Sequence, residues 1–370
     1  MPTLSGRIAA ADGSLRPGKI SFRERIESIE TAGAAGGDFI LPGLIDLQVN
    51  GSRGIDVMRA SAGELARISD ALGKEGTTAW VPTAVTSPLA AIERVDSAVG
   101  EAQSADDERK SSAILGMHLE GPFISPRRLG AHPRLNLEPR GESLDRVIAL
   151  KSLRIVTIAP ELPGALEAIA RFRQRGVVVS IGHTDADFDS ARRACLAGAR
   201  MFTHLFNAMR PLSHRDPGVV AAALTSDDAF VAVIPDGVHV HPEVLRVIYK
   251  ARGANGMILT TDKLSLAGMN PSAVRRLGSV EIRIEGGAAR LADGTLAGSV
   301  ISMLDGARLM VERVGVPPGE AALMASTNPA RALGLGDRGA LETGRRADMI
   351  VLGPALELKS VFVAGRELRL

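Results

Sequence analysis

Glu120, His183, His204 and Asp262 each stand at the end of an apolar, β-branched run. The chain reads His118-Leu119-Glu120-Gly121-Pro122, Gly182-His183-Thr184, Thr203-His204-Leu205 and Thr261-Asp262 at these places. Two further polar ends are Asp46-Leu47-Gln48-Val49-Asn50 and Asp236-Gly237-Val238-His239. A carboxylate and two imidazoles supply the donors of a divalent cation with one position open to water. Such a cation lowers the pKa of water from ~15.7 toward ~7. Asp262 could take a proton from that water and return it to a leaving group. Polar groups ending apolar strands are costly to bury alone, so their recurrence points to convergence on one rim.

Taken singly, each residue has a plainer reading. A buried histidine at a strand end is more often a hydrogen-bonded core residue than a ligand. Glu120 could be an ion-pair partner, and Asp262 could cap the segment that follows it. His132, in Gly130-Ala131-His132, could belong to an ordinary loop, and Arg215 could be a solvated charge. The joint reading outweighs these because four separate strand ends must agree. His118, His214 and His241 read as structural or supporting, and Cys195 as core on a helix face.

The elements that must position these groups repeat a strand-then-helix rhythm. The candidate strands are Phe39–Asp46, Thr77–Thr83, Ala113–Glu120, Leu153–Ala159, Val177–His183, Met201–Leu205, Phe230–Pro235 and Met257–Asp262. They are short and continuously apolar, as strands covered on both faces should be. Their ends recur about every 31 residues, near the unit of a (β/α)8 barrel of ~250 residues. Leu89, Ile92, Val95 and Val99 recur at helical spacing after Ser87-Pro88, as do Leu166, Ile169 and Phe172 before Gly176. Phe188, Ala191, Cys195 and Ala199 predict a third helix, and Met303–Val314 and Glu320–Ala325 further helical stretches. In such a barrel the chemistry sits at the C-terminal ends of the strands. Strand-like pieces at both termini predict one small β domain split by the barrel, dividing the chain into 1–42, 43–337 and 338–370.

Composition narrows the function. The 370 residues carry 44 Lys plus Arg against 42 Asp plus Glu, a formal charge of +2, which disfavours a nucleic-acid or acidic-lipid surface. Aromatic residues are 3%, too few for base-stacking platforms. A single cysteine excludes a disulfide framework and a cysteine-rich zinc site. With no signal-like leader and no apolar run of ~18 residues, the expectation is a soluble cytoplasmic protein.

These stretches carry a family resemblance. With Pro42-Gly43-Leu44-Ile45-Asp46, Thr203 to Met209, Leu296-Ala297-Gly298-Ser299 and Asn328-Pro329-Ala330, the chain resembles the N-acetylglucosamine-6-phosphate deacetylases of the amidohydrolase superfamily. The matches run from 42 to 330, and Ala347 to Val351 adds another. His-Leu-Glu-Gly-Pro together with Thr-His-Leu-Phe-Asn-Ala-Met is the specific pair.

The resemblance implies an α/β fold, a TIM-like (β/α)8 barrel with a small β-sandwich from both termini, usually as a homodimer. It implies that Glu120, His183 and His204 hold metal and that Asp262 is the acid/base. Ala131, His132, Asn207, Ala208, Asp236, His239 and Leu296, Ala297, Gly298 and Ser299 would contact the sugar phosphate. Arg215 matches a phosphate-binding arginine that can come from the neighbouring subunit. The reaction implied is hydrolysis of the acetamide of N-acetylglucosamine-6-phosphate. The alternatives are the galactosamine epimer or a catalytically silent assembly protein, which would be expected to lose these four residues. Many superfamily members carry His-x-His where this chain has Gln48-Val49-Asn50, and strand four ends without a lysine. One metal per subunit is therefore expected: zinc first, with iron, manganese or cobalt also suited to the donors. Lys263 follows Asp262, and could pair with it, hold phosphate or point away.

Overall fold

The computed structural model describes residues 1–31, 37–105, 110–277 and 280–370. Among them, eight strands run parallel in chain order and neighbour one another in sequence. They are Leu44–Val49, Thr77–Val85, Met117–Glu120, Leu153–Ile158, Val178–Ile181, Met201–Phe202, Phe230–Val233 and Met257–Leu259. A parallel bridge between Val49 and Lys263 returns the eighth strand to the first and closes the barrel. Helices follow the strands, and each buries one stripe. In Ala62–Lys74, Leu65, Ile68 and Leu72 face inward, and Ser61 with Glu64 forms a capping box at the start. A cap of this kind stabilises a helix by about 1 kcal/mol.

Ile45, Leu47, Val81, Ile155, Met201 and Ile258 fill the lower barrel together with Ala330 and Leu333. The Asn328 amide donates to the carbonyls of Ala254 and Met257, at 2.7 and 2.6 Å, below the start of strand eight. Asn328-Pro329-Ala330 is thus the plug of the barrel floor.

The run Phe39–Asp46, expected as one strand, is two. Phe39–Pro42 lies in a seven-stranded sheet, pairing with Thr3–Ala9 and Met349–Leu352, while Leu44–Val49 opens the barrel. The switch falls at Gly43, where a Cβ would stand 2.2 Å from Thr78 Oγ1. The seven-stranded sheet draws four strands from the N-terminus and three from the C-terminus. Ile20, Phe22, Ile40, Met349 and Phe362 are among its core residues.

Five barrel strands stop short of their expected ends, at Ile158, Ile181, Phe202, Val233 and Leu259. In three of these the backbone soon leaves the extended region, with φ of 45° at His183, 27° at His204 and 50° at Asp262. The polar side chains therefore stand on turns just past the ladder. Left-handed backbone at non-glycine residues costs of order 1–3 kcal/mol each and persists where surrounding contacts over-determine it.

After strand eight comes an antiparallel sheet of Val274–Leu277, Val280–Glu285, Ala288–Arg290 and Leu296–Gly298, which the sequence reading did not separate out. No helix among the described residues is long and apolar enough to cross a membrane.

Candidate active site

Glu120, His183 and His204 converge at the C-terminal rim. His204 Nε2 is 2.8 Å from Glu120 Oε1, His183 Nε2 is 3.3 Å from the same oxygen, and the two Nε2 atoms are 3.2 Å apart. His132 also reaches the group, its Nε2 3.3 Å from Glu120 Oε2. Glu120, His132 and His183 offer donor atoms within 4.8 Å of one another, so the geometry alone admits two sets of three.

Hydrogen bonding separates them. The Thr86 backbone N–H donates to His132 Nδ1 at 3.3 Å. That places the His132 proton on Nε2, where it donates to Glu120 and leaves no lone pair for a cation. His183 has the opposite arrangement. Its Nδ1 is 2.9 Å from the Arg128 carbonyl, which can only accept, so Nδ1 carries the proton and the Nε2 lone pair faces Glu120 and His204. Fixing a ligand imidazole through its other nitrogen is characteristic of metal sites. The donors thus fit a cation held by Glu120, His183 and His204.

The electrostatics agree. Burial would raise the Glu120 pKa, but the imidazoles of His132, His183 and His204 around it outweigh that and hold the carboxyl well below its usual range. Burial disfavours charge on His204, yet the Glu120 carboxylate overrides it and raises this histidine. Burial and the neighbouring His183 lower His132, in keeping with a neutral donor. The site is an anionic focus that attracts positive charge.

Asp262 is 7% exposed and faces this group. Burial, and then the Glu120 charge, push its pKa up to about 6. Gln48 Nε2 donates to Asp262 Oδ1 at 3.1 Å and to Glu120 Oε1 at 2.9 Å, while Asn50 Nδ2 donates to Asp262 Oδ1 at 2.6 Å. Two amides thus spread across the carboxylates, and Asp262 Oδ2 stays free to take a proton. Gln48 and Asn50, which stand where many superfamily members carry metal ligands, are thus the anchors of Asp262, a role that their place in the sequence does not signal. Strand one grips strand eight below as well. Asp46 accepts from Thr260 Oγ1 at 2.9 Å and from Thr261 Oγ1 at 2.5 Å.

His239 Nδ1 lies 2.6 Å from Asp236 Oδ2, and Asp236 Oδ1 accepts from the N–H of Val238 and of His239. Burial would raise Asp236, but the hydrogen bond from His239 overcomes it and the pKa falls.

These groups open on a cavity of about 200 Å³. Ala131, His132, Asn207, Ala208, His239, Leu296 and Ala297 line it with the metal-type ligands and Asp262. Leu277 and Thr295 also line it; Leu277 ends the first strand of the sheet that follows strand eight and Thr295 precedes its last strand, so the sequence offered no barrel-end signal for them. Asp236, Gly298 and Ser299 do not line it. Asp236 touches His239, and Ser299 Oγ donates to the Thr261 carbonyl at 2.5 Å, bracing the Asp262 turn from behind. Arg215 is exposed on the loop before the helix Gly218–Leu224 and is also away from the cavity. No Lys or Arg among the described residues lines the cavity.

Lys263 points away. It is 2% exposed and its ammonium pairs with Glu75 at the end of the helix Ala62–Lys74. His118 is buried below the rim, bonded to the Leu47 carbonyl and Thr157 Oγ1, and burial lowers its pKa to about 4, so it is neutral. His241 caps the helix Pro242–Arg252, and His214 is exposed.

Residues 39–368 match the Amidohydrolase family. The chain belongs to this family. Among its relatives, an N-acetylgalactosamine-6-phosphate deacetylase of Escherichia coli O157:H7 is 38% identical over 89% of this chain and 87% of that protein. An N-acetylglucosamine-6-phosphate deacetylase of Bacillus subtilis is 36% identical over 86% and 82%. A variant of the Mycobacterium smegmatis N-acetyl-D-glucosamine-6-phosphate deacetylase, solved with N-acetyl-D-glucosamine-6-phosphate, is 35% identical. It superposes with a TM-score of 0.92, covering 99% of this amidohydrolase and 98% of the other chain.

Proposed function

We propose that this amidohydrolase hydrolyses the acetamide of N-acetylglucosamine-6-phosphate to glucosamine-6-phosphate and acetate, as a cytoplasmic homodimer with one zinc ion per subunit. The observation that carries the reading is the convergence of Glu120, His183 and His204 with a free Asp262 oxygen in one cavity. The relatives at 36% and 38% identity supply the substrate class.

When bound by Glu120, His183 and His204, the metal would supply Lewis-acid activation of water and of the amide carbonyl. Asp262 takes the water's proton on Oδ2 while Gln48 and Asn50 hold Oδ1 still. A base with a pKa near 6 is deprotonated at neutral pH yet basic enough to accept. Protonated Asp262 then delivers that proton to the departing amine. His239 commits its Nδ1–H to Asp236, so donation from Nε2 to the carbonyl oxygen requires that both ring nitrogens carry protons. His132 donates to Glu120 and so orients this ligand.

A phosphate is well met by a permanently charged side chain, and no Lys or Arg among the described residues lines the cavity. We assign that role to Arg215 of a second copy of the chain. Asn207 lines the cavity, but its amide donates to the carbonyls of His204 and Leu205, at 3.2 and 3.3 Å. It therefore shapes that wall as well as facing the substrate.

The test is acetate release by metal-analysed protein from N-acetylglucosamine-6-phosphate, its galactosamine epimer and the unphosphorylated sugar. Faster release from the glucosamine phosphate is expected. Faster release from the epimer would transfer the reading to that sugar, and release from neither would overturn the substrate class.

A further inference from the structure

A lysine is rarely buried, and one whose ammonium leaves water needs a partner and a reason. Lys263 is buried directly beside Asp262, and its charge is met across the barrel wall by Glu75, 188 residues earlier. Its main chain is as heavily used as its side chain. The Lys263 carbonyl accepts from the N–H of Asn50 at 2.8 Å and of Gly51 at 3.1 Å, and its own N–H donates to Thr261 Oγ1 at 3.1 Å. Asn50 in turn donates its amide to Asp262 Oδ1 at 2.6 Å. Asp262, Lys263 and Asn50 thus form a small ring that joins the ends of strands eight and one. Within that ring Asp262 is held at φ 50°, a conformation it would leave if released.

We propose that Lys263, anchored by its ammonium to Glu75, is a positioning residue for Asp262. The ion pair fixes the Lys263 peptide, that peptide holds the Asn50 backbone, and the Asn50 amide sets where the Asp262 carboxylate stands. Neither Lys263 nor Glu75 lines the cavity, so neither touches substrate. The inference rests on the proposed role of Asp262 in amide hydrolysis.

The experiment compares wild type with Lys263→Met, Glu75→Gln and the double variant. Metal content, melting temperature, kcat and KM for the phosphorylated sugar are measured, and the Lys263→Met crystal structure is solved. The expected result is a kcat about ten- to a hundredfold lower in each single variant, the scale of an ångström of misplacement, with KM and metal content held. The double variant should lose no more than the worse single one, because the pair acts as one device. In the crystal, the Asn50–Asp262 contact should lengthen. A lower melting temperature with unchanged kcat in both single variants would make the pair purely structural and overturn the proposal. Losses that multiply in the double variant would overturn it as well. A wild type inactive on every N-acetyl amino-sugar phosphate would sink the functional reading instead, and the Asn50–Asp262 contact in the Lys263→Met crystal would then decide the positioning by itself.

Discussion

Replacing Asp236 by asparagine separates the charge on His239 from its geometry. Asp236 Oδ1 accepts from two backbone N–H groups, those of Val238 at 2.9 Å and His239 at 2.8 Å. These donors force the oxygen of an asparagine into the same place. Its NH2 must then face His239 Nδ1 and donate to it. The imidazole becomes neutral, with its proton on Nε2. It can still donate to the carbonyl oxygen, but without positive charge. A charge-assisted hydrogen bond is worth about 1.5–3 kcal/mol against about 0.5–1.5 for a neutral one. The difference of about 1–2 kcal/mol predicts a kcat about 5- to 30-fold lower. KM and metal content should stay close to wild type, since Asp236 neither lines the cavity nor touches the metal-type ligands. Steady-state acetate release with metal analysis measures all three. An unchanged kcat would mean that His239 already works as the neutral form. A loss beyond about a thousandfold would mean that the Asp236 carboxylate does more than accept the His239 Nδ1 proton.

Asp262→Asn should lower kcat by about a hundred- to ten-thousandfold and keep its metal. In wild type the rate should rise with pH through about 6, because the carboxyl must be deprotonated to act as base, and that limb should vanish in the variant. A variant that keeps the limb would assign it to another group. Glu120→Gln removes the anion shared by three histidines, so metal affinity should fall at least about tenfold by chelator competition, and retained affinity would refute the ligand assignment. Arg215→Ala should raise KM for the phosphorylated sugar. Mixing it with Asp262→Asn should restore activity by giving some subunits an intact Asp262 facing an intact Arg215, and no recovery would place the phosphate cation elsewhere.

Much of the fold was legible because barrel strands are covered on both faces and must be apolar throughout. That requirement wrote their positions into short runs such as Leu153–Ile158. It also made the polar residues after them conspicuous, which is how Glu120, His183, His204 and Asp262 were picked out. The same pattern misread Phe39–Asp46, since two strands of different sheets joined at Gly43 look as apolar as one. The sheet from Val274 to Gly298 went unseen because its half-exposed strands carry no such run.

What chemistry the chain can offer was therefore a property of its sequence: residue types, their spacing and the rim to which the barrel sends them. Which atom performs each task was decided only in three dimensions. Thr86 and Arg128 set the His132 and His183 protons on opposite nitrogens, making one a donor and the other a lone pair. Gln48 and Asn50, at the end of strand one, take hold of a carboxylate more than 210 residues later. Lys263 turns from the neighbour it follows toward Glu75 on a distant helix. Proton positions and ion pairs depend on directions between atoms brought together by closing the barrel, and local sequence carries no record of those directions.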